Sequence, residues 1–253
     1  MKNIVIREWY GRLGNNIIQV KNALHVALHY NYNVILPPHP YFTITFISLG
    51  TERSTEAVTD ESNFFYPDKI KNVDISIFNE NVSSIQSTLR DIFRIKTLNV
   101  LGERDVVIHV RGGDIFSQRP HKGYIMPPLS YYVNILNKHN YDNIYLISQD
   151  RRNPVIGKLL SLYPKIKFEV GTLDKDITTI LSSKNVIESF GTFTPSLLFL
   201  SRNIEFIEKP SYQIQPLIAD TQVSIHNTEL GSYREDMYPW RNTTAQQKIM
   251  LEF

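Results

Sequence analysis

The sequence predicts an α/β fold built on a parallel sheet, and three observations predict it. Apolar, strand-like runs recur at 105–110, 143–148, 166–170, 185–188 and 203–207. Helix-like segments separate them, at about 129–138, 154–162, 175–183 and 194–201. Alternation at this spacing is the signature of βαβ units, which form parallel sheets. Thirdly, polar segments carrying glycine or hydroxyls follow several of the strands, where open α/β sheets bind their ligands.

Taken in order, Asn3–Arg7 reads as a strand, followed by a loop over Gly11–Asn16. A helix from about Ile17 to Tyr30 follows, with apolar residues at Ile17, Val20, Leu24 and Leu28 on one face. Asn33-Val-Ile-Leu36 reads as a second strand closed by Pro37-Pro38. Periodicity is poor from Tyr41 to about Asp74, which is expected to be an irregular excursion on the acceptor side. Ser84–Phe93 is helix-like. The regular second half begins near residue 100, so the expected domains are 1–100 and a Rossmann-like 101–253. The tail from about Ser211 is polar and weakly patterned, Tyr238-Pro-Trp being its most apolar point, and is expected to pack over the body.

A chain of 253 residues suffices for one large domain or two small ones with real cores. A formal charge of +2 without a lysine/arginine block excludes generalised binding to nucleic acid or anionic membrane. The absence of cysteine removes disulfides, cysteine-based zinc sites and thiol nucleophiles. No apolar run approaches the roughly 20 residues of a membrane helix, and Asn3 already opens a strand without a signal-peptide layout, so a cytoplasmic protein is expected.

Chemistry concentrates in four segments. His109-Val-Arg-Gly-Gly-Asp114 follows a buried-strand pattern and places an imidazole, a guanidinium and a carboxylate around two glycines. His109 and Arg111 alternate and so share a strand face; the planar fork of Arg111 suits a phosphate. A structural Arg111–Asp114 pair and a core histidine are the plain alternatives. Gly11-Arg-Leu-Gly-Asn-Asn16 joins a strand to a helix, where amides favour an anion, or is a tight turn with an asparagine cap. It lacks both the dinucleotide fingerprint and the Lys-Ser/Thr ending of a P-loop. Asp174-Lys-Asp176 has a D-x-D spacing, yet it opens a helical pattern where acids are favoured anyway, so no metal site is expected. Ser189-Phe-Gly-Thr-Phe-Thr194 supplies hydroxyls and amides at a helix start, as a phosphate cradle or as capping alone.

Together, the G-R-L-G-N loop, the H-x-R-x-x-D loop and the S-F-x-T-F-type turn, in this order, resemble the fucosyltransferase superfamily over most of residues 1–207. That resemblance implies a GT-B-like fold of two Rossmann-like lobes, with a parallel sheet in the C-terminal lobe and a reduced N-terminal lobe. It implies metal-independent, inverting transfer of fucose from GDP-fucose to a glycan hydroxyl, with no cofactor. By the same resemblance Arg111 grips the donor's β-phosphate, and His109 and Asp176 read the guanine or its ribose. Ser189, Thr192, Phe193 and Thr194 hold the diphosphate, while Arg12, Gly14 and Asn15 face the donor from the other lobe. Asp114 and Glu8 are the candidate bases, Asp114 preferred. Relatives often carry a second arginine directly after the first; here Gly112 stands in that place. Another donor, such as UDP-xylose, and a non-catalytic nucleotide- or glycan-binding protein are the alternatives.

Overall fold

The computed structural model describes residues 2–49, 55–96, 99–214 and 222–253. These divide into two compact units: 2–96 with 195–200, and the remainder. The division falls after Lys96, and 195–200 groups with the first unit.

In the first unit, β1 (Lys2–Val5), β2 (Asn33–Ile35), β3 (Phe46–Ile47) and β4 (Glu56–Val58) form a sheet of order β3-β2-β1-β4. Strands β2 and β4 flank β1 in parallel, and β3 is antiparallel at the edge. The stretch 41–74 is thus only partly irregular, since two short strands and a 3-10 turn, Pro67–Lys69, come from it. Helix α1 (Leu13–Tyr30) buries Leu13, Ile17, Val20, Leu24 and Ala27, the i, i+3/i+4 stripe a core-facing helix requires. It ends at Asn31, whose left-handed backbone suits a C-terminal cap. Helix α2 (Val82–Ile92) also belongs here. Gln86 Nε2 donates to the carbonyl of Phe199 at 2.7 Å and Arg90 Nε to that of Leu200 at 3.0 Å, closing the end of the 193–200 helix.

The second unit holds β5 (Asp105–His109), β6 (Asn143–Ile147), β7 (Ile166–Phe168), β8 (Asn185–Ile187), β9 (Phe206–Pro210) and β10 (Ser224–Thr228). All six are parallel, in the order β10-β9-β8-β5-β6-β7. Val106, Val107 and Ile108 on β5 are fully buried, the continuous apolar run of a strand covered on both faces. The connecting helices are α3 (Leu129–Lys138), α4 (Pro154–Leu162) and α5 (Leu173–Leu181), and β8 leads into α6 (Phe193–Leu200), whose residues 195–200 group with the first unit. Their starts are fixed locally: Asn153 accepts from the Val155 amide ahead of Pro154, and Thr172 accepts from the Lys175 amide. The last strand predicted from the sequence, 203–207, begins three residues later, at Phe206.

The tail departs from the sequence reading. It supplies edge strand β10, then α7 (Tyr233–Met237) and α8 (Thr244–Glu252), which starts in a Thr243/Gln246 capping box. Tyr233, Met237, Trp240 and Met250 all enter the core, and Trp240 Nε1 donates to the Ile115 carbonyl at 2.7 Å. Few apolar residues, widely spaced, do the anchoring, which is why periodicity missed them. Trp240→Ala should cost about 3–5 kcal/mol in urea unfolding, from the cavity together with the stranded Ile115 carbonyl; a loss below about 1 kcal/mol would show that the tail is peripheral.

Candidate active site at the strand-order reversal

After β5 the chain builds outward to β6 and β7, then returns to lay β8, β9 and β10 on the other side of β5. Strands β5 and β8 are paired through Val107–Val186 and Ile108–Ile187. Their carboxyl ends therefore open the crevice at the reversal of strand order, the place where open α/β sheets bind ligands. Two of the four segments lie there: His109–Asp114 beyond β5, and Ser189–Thr194 beyond β8.

Arg111 is the centre of this edge. Its guanidinium stands over the Tyr124 ring, 4.5 Å from the centroid. One Nη reaches the Phe190 carbonyl at 3.5 Å and the other faces Asp114 Oδ1 at 3.7 Å, with only a fifth of the side chain exposed. Both contacts are long for hydrogen bonds, so this mostly buried fork keeps donor capacity. The backbone on each side is shaped around it. Gly191 has φ +122°, and a Cβ there would stand 2.3 Å from Arg111 Nη1; only glycine permits that approach. The Arg111 carbonyl accepts from Asn153 Nδ2 at 3.0 Å, which ties the loop to the start of α4.

Gly112 and Gly113 answer to the loop after β6. A Cβ on Gly112 would lie 2.6 Å from Asp150 Oδ1, and one on Gly113 2.3 Å from Gln149 Oε1. Asp150 accepts from the amides of Gly113 and Arg152 and from Arg152 Nε at 2.7 Å. Those donors hold its carboxyl below the ordinary range against the opposing effect of burial. A side chain at 112 would therefore meet the Asp150 carboxyl and require it to shift.

His109 and Thr194 engage each other: Thr194 Oγ1 and His109 Nδ1 are 2.7 Å apart, both residues being buried. Burial, with Arg111 adding to it, pushes the His109 pKa down to about 3, so the ring is neutral. Phe193 packs on it, with ring centroids 5.7 Å apart. Ser189 corrects an expectation. It is 1% exposed and its hydroxyl donates to Met126 Sδ within the core, so it is not placed to hold a phosphate. Thr192 is half-buried on the turn, beside Gly191.

Asp174 and Asp176 lie in the first turn of α5, as the sequence indicates. Helix α5 follows β7, two strands from β5 on the same sheet edge. Asp174 is exposed, whereas Asp176 is half-buried and burial raises its pKa to about 6, opposed by neighbouring Lys175. Among the described residues no group of three or more His, Cys, Asp or Glu side chains could hold a metal ion.

Glu8, Arg12, Gly14 and Asn15 belong to the first unit. Helix α1 starts at Leu13, four residues before the predicted Ile17, so Gly14, Asn15 and Asn16 are helical rather than loop. Its N-cap, Arg12, makes no side-chain capping bond, and the expected asparagine cap is absent. Asn16 and Gln19 instead fasten the preceding loop: Gln19 accepts from the Tyr10 amide and donates to the Glu8 carbonyl, and Asn16 donates to the Tyr10 carbonyl. Gly11, at φ +72°, leaves room for Asn15, and the Gly14 carbonyl accepts from Ser196 Oγ at 2.9 Å.

Sequence reasoning missed Tyr124, Asp150, Asn153 and Gln213. The polar run Ser148-Gln-Asp150 after β6 carried the same signal as His109–Asp114 and could have exposed Asp150. Tyr124 and Gln213 come from loops with no local pattern.

The raised pKa of Asp176 has a consequence for stability. The folded state holds this proton more tightly than the unfolded chain, so its contribution is greatest at low pH and is lost as pH rises through about 6. Between pH 4.5 and 7, wild type should lose more stability in urea titrations than Asp176→Asn; identical pH slopes would show that the carboxylate is not desolvated.

No family model matches the chain, and no curated protein does. Solved structures similar to it include POFUT1 in complex with GDP, at 10% identity and a TM-score of 0.44, and with GDP-fucose, at 10% and 0.45. Each match covers 91% of this chain and 98% of the other. E. coli ADP-heptose lps heptosyltransferase II is similar at 11% identity and a TM-score of 0.41, covering 99% of this chain and 98% of that one.

Proposed function

We propose that the chain is an inverting glycosyltransferase that moves fucose from GDP-fucose onto a glycan hydroxyl. The observation that supports this most is Arg111: a mostly buried fork with spare donors at the reversal of strand order, shaped around by Gly191. An anion with paired oxygens is what such a fork binds best, and a nucleoside diphosphate presents one. Neutral His109 and the Phe193 ring give the floor of the edge its shape without adding charge.

In the reaction the acceptor oxygen attacks the anomeric carbon, the bond from that carbon to the β-phosphate oxygen breaks, and GDP leaves with the electron pair. Arg111 stabilises the charge that develops on the diphosphate, and the amides near Thr192 add to it. The acceptor proton passes to Asp114, half-exposed beside Arg111, whose pairing with that guanidinium is loose at 3.7 Å. The Asp176 carboxylate suits guanine, which offers N1–H and N2–H₂ side by side. With a guanidinium on the phosphates, a divalent ion has no remaining task, and activity in EDTA should be unchanged.

Arg111→Ala should cut transfer from GDP-fucose by on the order of 10²-fold or more, with GDP affinity falling too, while the unfolding midpoint holds. Arg111→Lys should recover little, because a point charge cannot reproduce the fork. Isothermal titration of GDP and UDP beside an acceptor-screen assay checks both. Unchanged activity per folded molecule would make Arg111 structural, and tighter UDP binding would change the donor.

A further inference from the structure

Directly behind the site lies a buried carboxyl that the reaction does not use. Glu188, the residue after β8, is fully buried, and neither carboxyl oxygen makes a hydrogen bond of good geometry, Gln213 being the side chain that faces it. A bare carboxylate in that position is costly. Its neighbours come from every side. Lys209 on β9 is 2% exposed, with Nζ donating to the Gln213 carbonyl at 2.8 Å. Tyr131 and Tyr132 approach from α3, Tyr131 donating to the carbonyls of Glu188 and Glu208. Ser189 adjoins Tyr132, and Tyr212 and Gln213 lie on the segment after β9. Tyr233 and Arg234 of α7 stand beyond, against the tyrosines.

Gln213 is the link to the site. Its side chain clamps Gly191 from both ends: the Gly191 amide donates to Oε1 at 3.0 Å, and Nε2 donates to the Gly191 carbonyl at 2.8 Å. Gly191 in turn forms the wall against Arg111 Nη1, and the Phe190 carbonyl beside it is an Arg111 acceptor.

We propose that Glu188 is a positioning residue: its carboxyl competes with the Gly191 carbonyl for the Gln213 amide and so sets the turn that seats Arg111. In the neutral acid the clamp is intact. Ionisation leaves a buried charge that Lys209 and the Gln213 side chain favour, and turning the Gln213 amide group inward to meet it takes Nε2 off the Gly191 carbonyl and Oε1 off the Gly191 amide. Burial pushes the Glu188 pKa up to about 8, with Lys209 and Gln213 opposing, so the change falls in the mildly alkaline range. A diphosphate on Arg111 adds negative charge nearby and favours the protonated form further. Its binding therefore takes up protons, and affinity falls as pH rises above about 8. This last consequence rests on the proposed function; the clamp itself does not.

The test is hydrogen exchange at the Gly191 amide in ligand-free protein between pH 6.5 and 9.5, corrected for the intrinsic dependence of exchange on pH. Wild type should lose protection with a midpoint near pH 8, whereas Glu188→Gln, which cannot ionise, should keep it throughout. Lys209→Met removes the cation that favours the ionised form and should move the midpoint upward. The same pH profile in wild type and Glu188→Gln would overturn the proposal, as would an unmoved midpoint in Lys209→Met. Isothermal titration of GDP in buffers of different ionisation enthalpy forms the second arm. Wild type at pH 8 should take up a fraction of a proton and Glu188→Gln none, with wild-type affinity falling by up to about tenfold per pH unit above the midpoint. Proton uptake retained by Glu188→Gln overturns the proposal. Absence of GDP binding at every pH, with the exchange difference intact, counts against the proposed function alone.

Discussion

The seat of Arg111 is the constraint on which the second unit's sheet edge is built. A guanidinium cannot shed its charge, so once the chain places one at the end of β5 with a fifth of its side chain exposed, its surroundings must accommodate it. Gly191 gives up a side chain to let it approach, Phe190 turns a carbonyl toward it, Tyr124 lays a ring beneath it, and Asn153 holds its backbone. These residues come from three different connections: Tyr124 from β5 to α3, Asn153 from β6 to α4, and Phe190 and Gly191 from β8 to α6. What brings them together is strand order: β8 returns to pair with β5, and the two carboxyl ends become neighbours.

That geometry also explains a departure that looked like a loss. Gly112 occupies the position at which the resembled family often has a second arginine. The loop after β6 brings Asp150 Oδ1 within 2.6 Å of where a Cβ on Gly112 would stand, so a side chain there would have to displace that carboxyl. Asp150 engages Arg152 and the Gly113 amide, stiffening the turn beside Arg111.

Much of the second unit was legible because helical and strand periods are strong there. Helices α3 and α4 begin and end where the pattern places them, and Asp174 and Asp176 fall in the first turn of α5 as expected. Arg111 and its glycines were legible for a physical reason: polar residues at a strand's carboxyl end have little structural use. The orientation of Ser189 was not legible, because one residue of phase decides whether a hydroxyl meets Met126 or solvent. Nor was the start of α1, since Gly14, Asn15 and Asn16 are poor helix formers held helical by tertiary contacts such as Ser196 on the Gly14 carbonyl. In the tail the Tyr238-Pro-Trp point, with Trp240, was legible as the most apolar stretch, whereas Met250 lay among polar residues where no periodicity flags it.

The central claim is that the paired ends of β5 and β8 bind a nucleoside diphosphate through Arg111. Backbone amide chemical-shift mapping with GDP tests it most directly, because it reports where the ligand sits without requiring turnover. Saturable shifts should concentrate at 111–114 and 190–194 and at Tyr124, and should vanish in Arg111→Ala. Shifts confined to other parts of the chain, or the same shifts persisting in Arg111→Ala, would contradict it.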